Sequence, residues 1–410
     1  MVANPVRIEV FDKTLKRVGM IGAPISMKAS IRHNSVSTVD IEVDTESPRI
    51  PDLLTEGSIL QVFYAGVTGP IISGPVTKLT STMLGRSVVV TVIDQFAMIL
   101  NILGWPNPGN ALTSQTSLTD DRSGPAETVV KGVMQAAITR LGLPYTVAPD
   151  LGRGTTVHGA WRMIPLADVL LPILGAGGIG LSVQLRPLVT RGDGSQGSPG
   201  WAVDCYTPRT YPRNLTDTAG TITDWTLERI SPSSTRWVLG AVGDATARRF
   251  YSNVDTAAET LWGPANVTER FIDASSVGAD LVTAEQAYAA TPNATTQAAL
   301  TAAQTKFNTD VFAAFINAQT ERAAVTSIQV TLSQTNTVQY GDAGLLRGDL
   351  VPVTAGQVTL TATLSECTFT WDNTVGLVVT PVVGQVLDTA RQISRFINRL
   401  RRDVHLQQVK

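Results

Sequence analysis

Apolar and polar residues alternate with a period of two over residues 6–94. Val6, Ile8 and Val10 are separated by Arg7 and Glu9, and Val39, Ile41 and Val43 stand among Asp40, Glu42 and Asp44. Successive strand side chains point to opposite faces, so each run has one face for a core and one for water. Similar runs at 58–64, 71–79 and 87–93 are divided by turn glycines at Gly57, Gly66, Gly69 and Gly85. Strands this closely spaced, with few helices between them, predict a barrel or sandwich and not a βαβ sheet. A short helix over 95–103 and a Gly/Pro-rich turn at 104–109 close the region.

The period changes further on. Residues 110–121 are polar and read as a loop, followed by a helix with Ser123 as its N-cap, Pro125 and Glu127 near its start, and Gly142 just past its end. Its inward stripe is Val129, Val133, Ala136, Ala137 and Leu141. A second helix over 166–174 leads into a strand at 181–185, a Gly/Ser-rich hairpin tip at 191–200 and a return strand at 201–206. Strand-like patterning returns over 237–271. Residues 279–322 are rich in Ala, Gln and Thr and broken by Pro292, which predicts a helical hairpin with Phe307, Val311, Phe312, Phe315 and Ile316 on its packing side. Strands follow at 327–332, 349–353, 357–365 and 376–381. A last helix, 387–404, carries Ile393, Phe396, Ile397 and Leu400 at i, i+3, i+4 and i+7, a candidate protein interface, with Arg391, Arg395, Arg399, Arg401 and Arg402 on its other faces.

The expected fold is mainly β with an α+β insertion. Its divisions are a barrel-like β domain at 1–109, the insertion at 110–235, a second barrel-like β domain at 236–386 with a helical insertion at 279–322, and an amphipathic helix at 387–410.

Composition adds a constraint on surface. The chain has 410 residues, 43% hydrophobic but only 16% charged, below the ~25% of ordinary soluble domains. A surface largely covered by other chains accounts for so little charge. The net charge of −2 offers no field for nucleic acid or an anionic membrane. The N-terminus lacks the pattern of a signal peptide, and no apolar run is long enough for a membrane helix. The expectation is a chain made in the cytoplasm that stays soluble or is assembled there.

Chemistry is sparse. Gly175, Gly177 and Gly180 match G-x-G-x-x-G, but a helix precedes them and a strand follows, the reverse of a nucleotide-binding loop. His33, His158 and His405 are the only histidines and lie in unrelated segments, against a catalytic triad or a multi-histidine metal site. Asp120 and Asp121 in a polar loop offer carboxylates to a cation, but adjacent side chains point apart, which suits a solvated loop. Cys205 and Cys367 fit no metal spacing and read as buried thiols. Arg347-Gly348-Asp349 spells an adhesive tripeptide at a turn entering a strand, and the sequons at Asn214, Asn266 and Asn293 have no meaning without secretion. The expectation is therefore no catalytic residue, no cofactor and no metal.

Two segments carry a resemblance. Trp237-Val-Leu-Gly-Ala-Val-Gly-Asp, Arg248-Arg249-Phe250, Glu259-Thr-Leu-Trp262-Gly263 and Arg270-Phe271-Ile272-Asp273-Ala274, with Tyr340-Gly-Asp and Leu346-Arg-Gly-Asp349-Leu-Val-Pro-Val353 further on, resemble the central and closing patterns of minor tail proteins of actinobacterial siphophages. Arg347 is an insertion relative to that pattern. The resemblance covers the C-terminal half well and the first hundred or so residues only in their all-β style, and the 7 Lys against 25 Arg agree with a GC-rich host. It implies a tail-tip or baseplate hub: a homotrimer whose barrel-like domains form a ring joining the distal tail protein to tip components. The ring's partners would be other minor tail proteins and the tape-measure protein, with DNA passing only in transit along a neutral to acidic wall. Two other readings stay open: a tail-associated cell-wall hydrolase, and a carbohydrate- or receptor-binding module built on Trp201, Tyr206 and Tyr211.

Overall fold

The alternating runs near the start of the chain form antiparallel strands, among them Val6–Phe11, Ser26–Arg32, Thr38–Asp44, Ile59–Tyr64, Pro70–Ser81 and Ser87–Ile93. The computed structural model describes residues 5–22, 24–81, 86–187, 198–243, 245–275, 277–322, 325–333 and 338–384. In Thr38–Asp44 burial follows the sequence alternation: Val39, Ile41 and Val43 are inside, Asp40 and Asp44 outside. Strand content of 42% against 27% helix makes the fold mainly β, as expected.

The expected barrels do not close among the described residues. Strand Ser26–Arg32 instead pairs with strand Val358–Asp372, in register Met27↔Trp371 and Ile31↔Cys367. Strands from both β regions thus share one 13-stranded sheet, which runs from Ile222–Ile230 at one end to Arg17–Ile21 at the other. The physical reason is that alternation specifies which face of a strand is buried but not which strand lies beside it. Both regions line the same core, in which Tyr64 and Tyr340 each meet Phe369 edge-on at 5.3 Å.

A second core is built by helices Ala126–Leu141 and Leu166–Gly177 with strands Gly180–Arg186 and Gly200–Tyr206. Ser123 does not cap the first helix; it lies in strand Asp120–Pro125, which pairs with Thr156–Trp161. The helix starts after Pro125, and the Ala126 and Glu127 N–H groups donate to the Thr155 and Arg153 carbonyls, each at 3.0 Å, in place of a side-chain cap. Its buried face is Val129, Val130, Val133, Met134, Ala137 and Ile138, while Leu141 is exposed. Gly142 ends it in the left-handed conformation (φ 61°), as its position predicts. Glu127 is buried against Lys131 at 2.6 Å and Arg153 at 2.7 Å, and the Arg153 bonds, ahead of those from Lys131, hold its carboxyl well below the usual range.

The third core lies under a three-stranded sheet, Phe250–Val254, Arg236–Gly240 and Glu269–Asp273, with Arg236–Gly240 in the middle. The helical hairpin forms as predicted, from Ala279–Ala290 and Ala294–Arg322. Phe307, Val311 and Phe315 recur every four residues and pack on Trp237 and Leu239. Phe312 was expected on that stripe, but it sits about 100° further round the helix and is 66% exposed. The candidate interface Ile393, Phe396, Ile397 and Leu400 lies outside the described residues, as does all of 387–410.

Candidate interaction surface

The central motifs of the resemblance, from Trp237 to Ala274, converge on the three-stranded sheet, whereas the closing motifs at Tyr340 and 346–353 lie against the core of the large sheet. In its middle strand Trp237 and Leu239 turn inward to the helices, which leaves Val238 and Gly240 on the outer face. The strand register sets Phe250 beside Gly240 and Phe271 beside Val238. A Cβ at Gly240 would lie 2.7 Å from both Arg248 Nε and Phe271 Cζ. Only glycine lets these two side chains fold across the strand. Arg248 Nη2 donates to the Gly240 carbonyl at 2.9 Å and to the Asp273 carboxylate, and its guanidinium lies 5.3 Å from the Phe271 ring centroid.

Phe250 stands 6.4 Å from Phe271, and the two rings are 58% and 50% exposed. At the border, helix Thr256–Trp262 is capped by Asp255, which accepts from the Ala258 N–H at 2.9 Å. Its Glu259 takes two bonds from Arg236, at 2.7 and 3.1 Å, and so fixes the helix to the sheet. The Arg229 guanidinium lies 5.1 Å from the Trp262 ring. Exposed aromatics rimmed by arginine are the composition of a protein-contact patch, not of a solvated face. A further surface, unmarked in the sequence, is strand Ile222–Ile230, the last on its side of the large sheet among the described residues, with Trp225 42% exposed. A terminal strand with an apolar side chain in the open can accept another strand.

The remaining sequence candidates are structural. Gly175 and Gly177 lie in helix Leu166–Gly177, Gly178 ends it at φ 64°, and Gly180 opens a strand, so these glycines form a helix-to-strand connection. Gly348 (φ 90°) makes the tripeptide a turn, inside which Asp349 binds Arg209 at 2.7 Å and accepts from the Leu346 N–H at 2.8 Å. The inserted Arg347 sets its charge beside Tyr206, whose hydroxyl is 2.9 Å from His33 Nδ1. Burial, then the Arg347 charge, pushes the His33 imidazole down to about 4. His33 therefore stands neutral at the seam between the large sheet and the α+β region. Trp201 and Tyr211 are buried, so they offer no platform for a sugar. Cys205 and Cys367 are buried thiols, and burial raises both, Cys205 to about 12. A polar cavity of about 30 Å3 beside Arg32, Asn34, Asp94 and Arg347 has the size of a water, not of a substrate. Asp120 pairs with Arg122 at 3.0 Å, whereas Asp121 and His158, set apart in sequence, come together. His405 is outside the described residues.

The architecture is mainly β with aromatic rings on an outward face, and no helix among the described residues is long and apolar enough to cross a membrane. Residues 7–385 match the family described as Siphovirus ReqiPepy6 Gp37-like protein, and the chain belongs to that family. The siphophage family expected from the motifs is thus the one found, and it extends over the N-terminal β region as well. Among solved structures, the fold is similar to that of prophage tail protein gp18 from Listeria monocytogenes EGD-e, with a TM-score of 0.51 at 8% identity over 96% of this chain and 98% of that one. The 43 kDa tail protein of prophage MuSo2 from Shewanella oneidensis gives 0.48 at 11% identity over 92% and 98%. A chain of the p2 virion baseplate in its activated conformation gives 0.44 at 10% over 92% and 98%. No curated protein matches the sequence.

Proposed function

We propose that this siphovirus protein is a structural subunit of the tail tip, a non-catalytic hub. Three copies would form a ring that joins the distal tail protein to tip components and leaves a channel for the tape-measure protein and DNA. A place in the virion tail accords with the family and with the tail-protein fold. The observation that carries the assembly role is the outward face of the three-stranded sheet, where Phe250 and Phe271 are held in the open by Gly240 and Arg248. A chain that worked alone would gain by making these positions polar, as it does at Asp40 and Thr91 on the large sheet. The low charge fraction points the same way.

Native mass spectrometry of the purified chain, alone and mixed with the distal tail protein, tests the reading. A mass of three chains is expected, and a strictly monomeric mass in both samples overturns it. No described feature favours a cell-wall hydrolase, and a zymogram on host cell walls should stay unlysed.

A further inference from the structure

We propose that Asp121, His158 and Asp310 form a binding site for a divalent transition-metal cation of the zinc class, which straps the helical hairpin to the α+β region. Asp121 and His158 come from the paired strands Asp120–Pro125 and Thr156–Trp161. The register sets Asp121 opposite Ala160 and His158 opposite Ser123, so the two are diagonal neighbours on one face. Asp310 descends onto that face from helix Ala294–Arg322. The three donor atoms all lie within 4.8 Å of one another.

The spacing is that of ligands around an ion. His158 Nδ1 is 3.4 Å from Asp121 Oδ1 and 3.7 Å from Asp310 Oδ1. Both distances exceed a good N–H···O bond. Two ligands at ~2.1 Å on a tetrahedral cation stand about 3.4 Å apart, so a metal fits where a proton bridges poorly.

An independent observation points to the same ligand. Asp310 is 1% exposed, and its Oδ1, turned toward His158, has no hydrogen-bond partner, while Oδ2 accepts from Lys306 Nζ at 3.0 Å. A buried carboxylate oxygen left bare in this way calls for a cation. The charge agrees: Asp121, Asp310 and Asp280, the last 3.3 Å from Lys306, set three negative charges against one ammonium. One imidazole with two carboxylates suits zinc and its neighbours over magnesium or calcium, which prefer all-oxygen shells. Asp121 is the most exposed of the three and opens the site to solvent. The sequence sets Asp121 and His158 aside because each stands in an unrelated segment, and Asp310 carries no signal at all; only the docking of the hairpin joins the three.

The test uses the full chain, stripped with a chelator and dialysed against Zn2+ alone, with Mg2+ and Ca2+ as separate arms. Elemental analysis should find about one zinc per chain, and thermal unfolding should shift upward with zinc concentration. Asp310→Asn should weaken zinc at least tenfold. Because that residue is buried, Asp121→Asn on the exposed strand serves as a second variant that keeps the fold, with the same expected loss. Two results overturn the site: zinc retained at well below one per chain, or zinc binding unchanged in Asp121→Asn. An acid-stability change in Asp121→Asn without retained zinc also overturns it, since the cluster would then be held by protons alone.

Discussion

The 13-stranded sheet and the three-stranded sheet around Arg236–Gly240 end differently toward solvent. In the 13-stranded sheet, strands such as Ser26–Arg32 and Thr38–Asp44 bury every second residue in a core drawn from both β regions, and their outward positions are Lys28, Asp40 and Asp44. Among the described residues, the three-stranded sheet rests on a core of eight buried residues. Its flanking strands Phe250–Val254 and Glu269–Asp273 have no buried residue, and they turn aromatic rings outward. Over these strands the first sheet supplies its own polar outer surface, although its terminal strand Ile222–Ile230 leaves Trp225 in the open. The second is covered on one face by the helical hairpin and on the other carries exposed Phe250 and Phe271 among Arg248, Asp273 and Glu269.

Phe369 tests the first half of this contrast. It is fully buried where Tyr64 and Tyr340 converge, and Phe369→Ala should cost about 3–5 kcal/mol, read from the urea midpoint at unchanged slope. A loss under about 1 kcal/mol would mean that the large sheet is not the stabilising unit.

The seam between that sheet and the α+β region gives the next effect. His33 titrates at about 4 in the fold against 6.5 for the ordinary side chain. The unfolded chain therefore takes up the proton first, so stability is fully present above about pH 6.5 and falls as the pH drops toward 4. The loss should approach roughly 2–3 kcal/mol. His33→Gln should flatten the dependence between pH 6.5 and 4, and an unaltered slope would assign the acid sensitivity elsewhere.

The smallest effect on the isolated chain belongs to the outer face of the small sheet. Phe250→Ser with Phe271→Ser should move chain stability by no more than about 1 kcal/mol in total. The pair should nonetheless lower the population of the proposed trimer at least tenfold, as measured by native mass spectrometry at a fixed chain concentration. A double variant that assembles normally would leave those rings without a purpose in assembly.

The local parts of this architecture were legible because their signals are local. Val39, Ile41 and Val43 announce a strand with one buried face, Gly142 a helix end, and Pro292 the break in a helical hairpin. Pairing across the chain was not legible: nothing in Met27 or Trp371 names the other, so one continuous sheet read as two barrels. Ser123 had the chemistry of a cap, yet the Arg153 and Thr155 carbonyls already took the N–H groups it would have served. The extension of strand Val358–Asp372 past Ser365 was missed because Glu366 interrupts the apolar alternation, and its carboxylate is in fact held by Arg32 at 3.0 Å. On the interaction surface, the motif residues were found by resemblance, but their common outer face was not. Gly240 gave no hint in sequence that its missing side chain makes room for Arg248 and Phe271.

The seam between Ser26–Arg32 and Val358–Asp372 also governs when the protein can fold. Thr368, which pairs with Ser30, emerges from the ribosome long after it, since synthesis at ~5–20 residues per second takes tens of seconds to span that interval. Until then the early strands hold one edge of unsatisfied backbone groups. Closure of the sheet is thus a late, long-range event, slow in the manner of folds with high contact order. An open strand edge of this kind can pair with another chain, so the late arrival of Val358–Asp372 both completes the sheet and removes that edge.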